Sequence, residues 1–261
     1  MSVSRFWKFL VAGLLAVTAA AASAETIAVP MGKPLARFDK LKPGTRTYVH
    51  YIIWPSGSLH VADIQTREVR FEGEGAGRRV RIAQRSDGPD GTVVLDSLFE
   101  NKTLRPITHQ RDRYKGGKLI REGFRFLPDK VVGIADQLYN VRRDFALATP
   151  VPVFNFETDL ETLTTLPLHK GAEFKIVFYQ PGRAPPQPYL FKVTGDQRLN
   201  VGGQPIDCWV VTTDYNLSRF WIAKDSQVVV RVHSVLPDRS AGQVTALLPD
   251  DPDPPSEPPI G

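Results

Sequence analysis

Tyr189-Leu190-Phe191-Lys192-Val193-Thr194-Gly195-Asp196-Gln197-Arg198-Leu199, then Asn200-Val201-Gly202-Gly203, then Gln204-Pro205-Ile206-Asp207-Cys208-Trp209-Val210-Val211-Thr212-Thr213-Asp214-Tyr215: this stretch decides the fold class. Apolar and polar residues alternate on both sides of the turn. Period-two alternation sets one group of side chains on each face of a sheet. Two adjacent glycines supply the positive φ angles of a tight turn. The stretch therefore predicts a β-hairpin.

The same rhythm runs outward in both directions. Towards the C-terminus, Arg219 to Ala223 and Val228 to Leu236 flank the turn Lys224-Asp225-Ser226-Gln227, and Gln243 to Leu248 makes a last strand. Towards the N-terminus, Phe174, Ile176 and Phe178 alternate with Lys175 and Val177. The proline-rich loop Gln180 to Pro188 cannot supply a central strand, because proline lacks the donor a ladder needs. In the first half Tyr48, His50, Ile52 and Trp54 share one strand face, and strands follow over His60 to Phe71, Arg79 to Arg85 and Val93 to Glu100. Leu104 to Tyr114 and Leu119 to Leu127 form a further hairpin about Lys115-Gly116-Gly117-Lys118, followed by Val131 to Ile134.

One segment breaks the pattern. Phe154, Phe156, Leu160 and Leu163 are spaced for a helix, with acidic residues between them, and Pro167 closes the run. This predicts a short helix over Phe156 to Leu163 that joins two sets of strands. Helix–strand alternation of the kind a parallel sheet needs is missing. The expected fold is mainly β: a large curved antiparallel sheet, an open half-barrel, with one short connecting helix. It forms a single domain over residues 45–248, preceded by a lead segment at 25–44.

The chain ends carry other signals. Arg5 and Lys8 precede the apolar run Phe9 to Val17, and Ala22-Ser23-Ala24 is a small-residue cleavage site. That order is a secretory signal peptide over residues 1–24. No later stretch is long and apolar enough for a membrane span, so the mature chain is expected to be soluble and periplasmic. Residues 249–261 are almost all Pro, Asp, Ser and Glu, and cannot bury enough apolar surface to order themselves.

Thirty-three Lys and Arg stand against 28 Asp and Glu. Two of the bases lie in the leader, and the tail holds Asp250, Asp251, Asp253 and Glu257, so the body between them is more basic than the whole chain. Such a body suits anionic headgroups or acidic glycans. An exported chain has little use for nucleic acid. The single cysteine, Cys208, excludes an intramolecular disulfide and reads as a buried thiol on a strand.

Chemistry-bearing constellations are absent from the sequence. His50, His60, His109, His169 and His233 show no metal-pair spacing. Ser56 and Ser58 lack the strand–turn–helix context of an activated serine. The glycines from Gly73 to Gly77 lack the Lys-Ser/Thr and helix of a phosphate loop. No catalytic residue, metal or cofactor is assigned. The strands are instead rich in large apolar residues. Phe174, Ile176, Phe178, Trp209 and Trp221 are the candidates for lining an apolar cavity.

The second half also resembles a known family. Gly195, the Asn200 to Gly203 turn, Ile206 to Val211, Arg219 to Asp225 and Val228 to Val232 follow the order found in the periplasmic bacterial family called domain of unknown function 3108. Its signature is a Trp-hydrophobe-x-x-Asp turn leading into a strand, and Trp221 to Asp225 matches it, with Ala223 where Ser is usual. Leu104-Arg105-Pro106 and the Phe124-x-Phe126 hairpin match the first half, and the resemblance spans Thr45 to Leu248. It implies a distant likeness to the lipoprotein-carrier fold, in which a curved sheet wraps an apolar cavity closed by helices. This chain has fewer helical segments, and the family defines no catalytic residues. The function expected is non-enzymatic binding or transport of an apolar envelope ligand, such as a lipid or acyl chain, by a monomer. Two other readings stay open: an assembly partner that pairs a sheet edge with another envelope protein, and a hydrolase.

Overall fold

A computed structural model describes residues 25–149, 152–183, 185–236 and 238–248. The signal peptide expected at 1–24 and the disordered tail expected at 249–261 lie outside the described residues. The strands of the first half are β1 (Thr26–Ala28), β2 (Gly44–Ile53), β3 (Leu59–Glu72), β4 (Arg79–Gly88), β5 (Gly91–Glu100), β6 (Pro106–Lys115), β7 (Lys118–Phe126), β8 (Lys130–Gly133) and β9 (Ala146–Ala148). Those of the second are β10 (Phe154–Asn155), β11 (Glu173–Tyr179), β12 (Gln187–Val201), β13 (Gln204–Thr212), β14 (Arg219–Ala223), β15 (Val229–Val235) and β16 (Gly242–Leu247).

All sixteen belong to one sheet. Its order is β1-β11-β12-β13-β14-β15-β16-β2-β3-β4-β5-β6-β7-β8-β9, with β10 also on β11. The path does not close, so the sheet is a curved half-barrel. Every hairpin predicted from alternation is present as an antiparallel neighbour pair. The two halves of the chain become one sheet through β16 and β2, which pair antiparallel from Gly242↔Ile53 to Leu247↔Tyr48. Two pairings are parallel and were not foreseen: β1 and β10 both flank the outer edge of β11.

The predicted helix is present in two pieces. A 3-10 turn at Phe156–Thr158 leads into α1 (Asp159–Thr164). The Asn155 side chain caps the turn by accepting from the Glu157 backbone N–H. A six-residue helix cannot stand alone in water. This one is held by burial, with Leu160, Leu163 and Leu166 packed into the concave side of the sheet. The core they join gathers Val69, Val80, Ile82 and Phe99 from one half of the sheet and Phe174, Phe191, Val211 and Ile222 from the other. The half-barrel is thus filled by its own side chains. Near one mouth Phe156 meets Phe178 and Tyr215, at ring-centroid distances of 5.6 and 5.1 Å.

The two ends of the sheet approach one another along a seam. Phe126 of β7 lies edge-on to Tyr179 of β11, with ring centroids 6.5 Å apart. Gly182 closes the same junction at φ +75°, where an added Cβ would sit 2.7 Å from Cζ of Phe124. Only glycine fits both the backbone angle and the space.

Candidate functional site

The concave face carries a polar layer above the apolar core. Arg67 of β3 is buried and reaches Glu161 of α1 with two hydrogen bonds, Nε to Oε1 at 2.9 Å and Nη2 to Oε2 at 2.6 Å. Its Nη1 donates to Gln84 Oε1 at 3.1 Å and its Nη2 to the Glu157 carbonyl at 3.2 Å. Burial pulls the Arg67 guanidinium down, but Glu161 outweighs it and leaves it above its ordinary value. Arg111 of β6 is the second clamp. It donates to Glu122 Oε2 at 3.0 Å and also bonds the Glu157 carboxylate. Burial pushes Glu157 up, and the Arg111 charge then brings it below the ordinary carboxylate range. Two arginines of the sheet thereby lock two glutamates of the helical segment.

Asp159 shares this layer without an arginine bonded to it. Its Oδ1 accepts from the Leu160 backbone N–H at 2.8 Å, and burial pushes its carboxyl up to about 6. Deeper in, Ser97 Oγ lies 2.9 Å from His109 Nδ1, with Asn155 Nδ2 at 3.2 Å from the same nitrogen. Ser97 and His109 are both 0% exposed. Burial lowers the His109 imidazole to about 4, so it is neutral at pH 7. A Ser–His contact is the start of nucleophilic catalysis; this one lies in the packed interior, with the His109 ring stacked on Phe124 at 6.4 Å between centroids.

The five cavity candidates do not form one surface. Phe174, Ile176 and Phe178 stand at 0, 0 and 1% exposed within the packed concave core. Trp209 is partly buried against that core. Trp221 lies on the other face. Register sets Trp209 opposite Ile222 and Val210 opposite Trp221, so Trp221 points away from Trp209. It packs with Leu199, Cys208 and Val230 on the convex side, where its Nε1 donates to Gln197 Oε1 at 2.9 Å. Cys208 is fully buried beside it, and burial pushes its thiol up to about 11. Among the described residues no group of three or more His, Cys, Asp or Glu is placed to hold a metal ion.

An accessible cleft lies elsewhere, at one end of the seam. A cleft of about 350 Å³ is walled by Met31 of the lead segment, Pro106 at the start of β6, Phe126 and Leu127 at the end of β7, Val131 of β8, and Val153. Glu100 and Arg105 form an ion pair at its rim. The Arg105 hydrogen bond holds the Glu100 carboxyl below its ordinary range. Sequence reading missed this cleft because its walls come from four separate turns and strand ends. Leu104-Arg105-Pro106 and Phe124-x-Phe126 were singled out as family motifs, and both border it.

No curated protein matches the sequence. Among solved structures, the chain is similar to a β-barrel-like protein of domain of unknown function DUF1849 from Brucella abortus. Identity is 10%, the match covers 78% of this chain and 96% of that one, and the TM-score is 0.46. It is also similar to the hypothetical lipoprotein YmcC from Escherichia coli (K12), at 12% identity, 78% and 87% coverage and a TM-score of 0.29. The model of the family described as "Protein of unknown function (DUF3108)" matches residues 49–248, and the chain belongs to that family.

Proposed function

We propose that the protein is a non-enzymatic binding protein of the bacterial periplasm, acting as a monomer, that holds an apolar envelope ligand in the seam cleft. The ligand class is a lipid or a free acyl chain. The observation that carries this reading is the cleft. Its volume of about 350 Å³ is large enough for a small-molecule site. Its wall is mostly apolar, and Arg105 stands at the rim to meet a phosphate or carboxylate headgroup. The leader read at residues 1–24 supports export. Among the described residues no helix is long and apolar enough to cross a membrane. Phe174, Ile176 and Phe178 belong to the packed concave core and are not among the residues that line this cleft.

The test is native mass spectrometry of the mature chain purified without detergent, followed by solvent extraction of bound material. A stoichiometric lipid is expected. Leu127→Asp should remove it and leave the thermal melt unchanged, because Leu127 is 37% exposed. A clean apo mass after incubation with envelope lipids would sink the reading. The weight would then move to strand addition at β9, which among the described residues pairs with β8 alone.

A further inference from the structure

The three most exposed large apolar side chains among the described residues lie within four consecutive positions. Leu138, Tyr139 and Val141 are 67, 65 and 61% exposed. The residue between them, Asn140, is 1% exposed and fixes the loop. Its Nδ2 donates to the carbonyls of Gly123 and Ile134, each at 2.9 Å. Its Oδ1 accepts from the backbone N–H of Gly123 at 3.0 Å and of Arg142 at 2.9 Å. The Val141 N–H donates to the Arg121 carbonyl at 2.9 Å. Tyr139 is held at φ +63°, a left-handed value that a tyrosine rarely adopts. The fold thus builds a rigid pedestal and uses it to push three apolar side chains into solvent. Exposed apolar groups that are held in place rather than left on a loose loop mark an interaction site.

Charge indicates the partner. Arg142 and Arg143 follow directly. Residues 110–125 and 134–144, which form the adjoining hairpin and the loop, hold eight Lys and Arg against four Asp and Glu; with Arg111 set aside, because it is buried against Glu122 and Glu157, seven bases remain. Among the described residues Arg143 makes no ion pair, while Arg142 bonds Glu122 at 2.9 Å and stays 44% exposed. The bridge between Arg121 and Asn140 also brings Ile120, 45% exposed, to the flank of the loop. Size argues against a protein partner. A stable protein interface buries about 800 Å² on each side, and a tip of three side chains falls well short of that. A bilayer needs no such area. Tyrosine favours the headgroup region, short apolar side chains reach just below it, and arginines stay at the phosphates.

We propose that the Leu138–Arg143 loop docks the protein on an anionic membrane surface. Tyr139, Leu138 and Val141 enter the headgroup layer, and Arg142 and Arg143 contact lipid phosphates. This site is separate from the seam cleft and does not depend on the cleft binding a ligand.

Co-sedimentation of the mature chain with vesicles tests it. One set is phosphatidylcholine alone, the other phosphatidylcholine and phosphatidylglycerol in equal parts. Binding to the anionic vesicles only is expected, and it should weaken as salt is raised. Each basic residue at such a surface is worth roughly a fivefold change in partitioning, so Arg143→Glu should weaken binding by about an order of magnitude. Leu138→Ser should weaken it too. Tyr139→Gly removes the ring at a positive φ that glycine adopts without strain, and should weaken binding as well. None of these variants should alter lipid extracted from the cleft, which keeps the two proposals distinguishable. Absence of binding to either vesicle, or binding that all three variants retain, overturns the proposal. So does capture of an envelope protein by the same residues without vesicles.

Discussion

Asp159 is a carboxyl whose environment works against it. Its folded value of about 6 lies above the ordinary 3.8. An acid raised on folding leaves stability intact below its unfolded value and reduces it as pH rises through the folded one. At pH 7.5 the native state therefore carries a cost that is absent at pH 4. The full shift corresponds to about 3 kcal/mol, and partial exposure of the residue reduces that to roughly 1–2 kcal/mol. Asp159→Asn keeps the acceptor for the Leu160 N–H and should stabilise the protein by that amount at pH 7.5 and hardly at all at pH 4. Urea titrations at the two pH values check this, and equal effects at both would refute the ionisation argument. His109 works in the opposite direction. Its imidazole is lowered from 6.5 to about 4, so its contribution is complete above 6.5 and is lost as pH falls through 4. Nitrogen chemical shifts of its ring should show no titration down to pH 5; a midpoint near 6.5 would mean water reaches it. Neither residue was marked by the sequence. His109 was one of five unpaired histidines and Asp159 one acid among several, and only burial distinguishes them.

Helix α1 shows how an element too short for its own stability is fixed. Its apolar side chains fill the concave core, and Arg67 and Arg111 clamp the glutamates that flank and form it. Removing one partner of a buried ion pair strands the other charge, at a cost of about 3–5 kcal/mol, whereas replacing both by apolar groups is often neutral. Arg67→Met should therefore destabilise strongly, and Arg67→Met with Glu161→Leu should recover most of the loss in chemical denaturation. A double variant no better than the single would show that the pair, not the stranded charge, is what matters. The helix was legible because Phe156, Leu160 and Leu163 recur at near-helical spacing. The hairpins were legible because alternation and paired glycines are local signals. Strands β1, β9 and β10 were not, since two or three residues give no measurable period and β1 and β10 owe their existence to a distant edge of β11.

The whole molecule depends on a decision that the alternation leaves open, namely which face turns inward. Phe220, Trp221 and Ile222 are large on both faces, and the pattern alone could not say that Trp221 belongs outside with Cys208 while Ile222 belongs inside with Phe174. Pairing of β16 with β2 settles the curvature and leaves a seam where β7, β8 and β9 face β10 and β11. The two sides of this sheet differ in cohesion. β4 and β5 pair across ten positions, from Arg79↔Glu100 to Gly88↔Gly91, whereas β8 and β9 share three. Local opening follows such differences, because short edge strands with little buried surface separate at low free energy. Hydrogen exchange should therefore find the amides of β8 and β9 far less protected than those of β4 and β5. Val131 and Thr149 belong to the weakly held side and also line the cleft. A ligand seated there should slow exchange in β8 and β9 selectively, since it binds the closed seam and not the open one. Uniform protection without ligand would mean that the sheet opens only as a unit, and a ligand could then enter the cleft only through its rim, past Glu100 and Arg105.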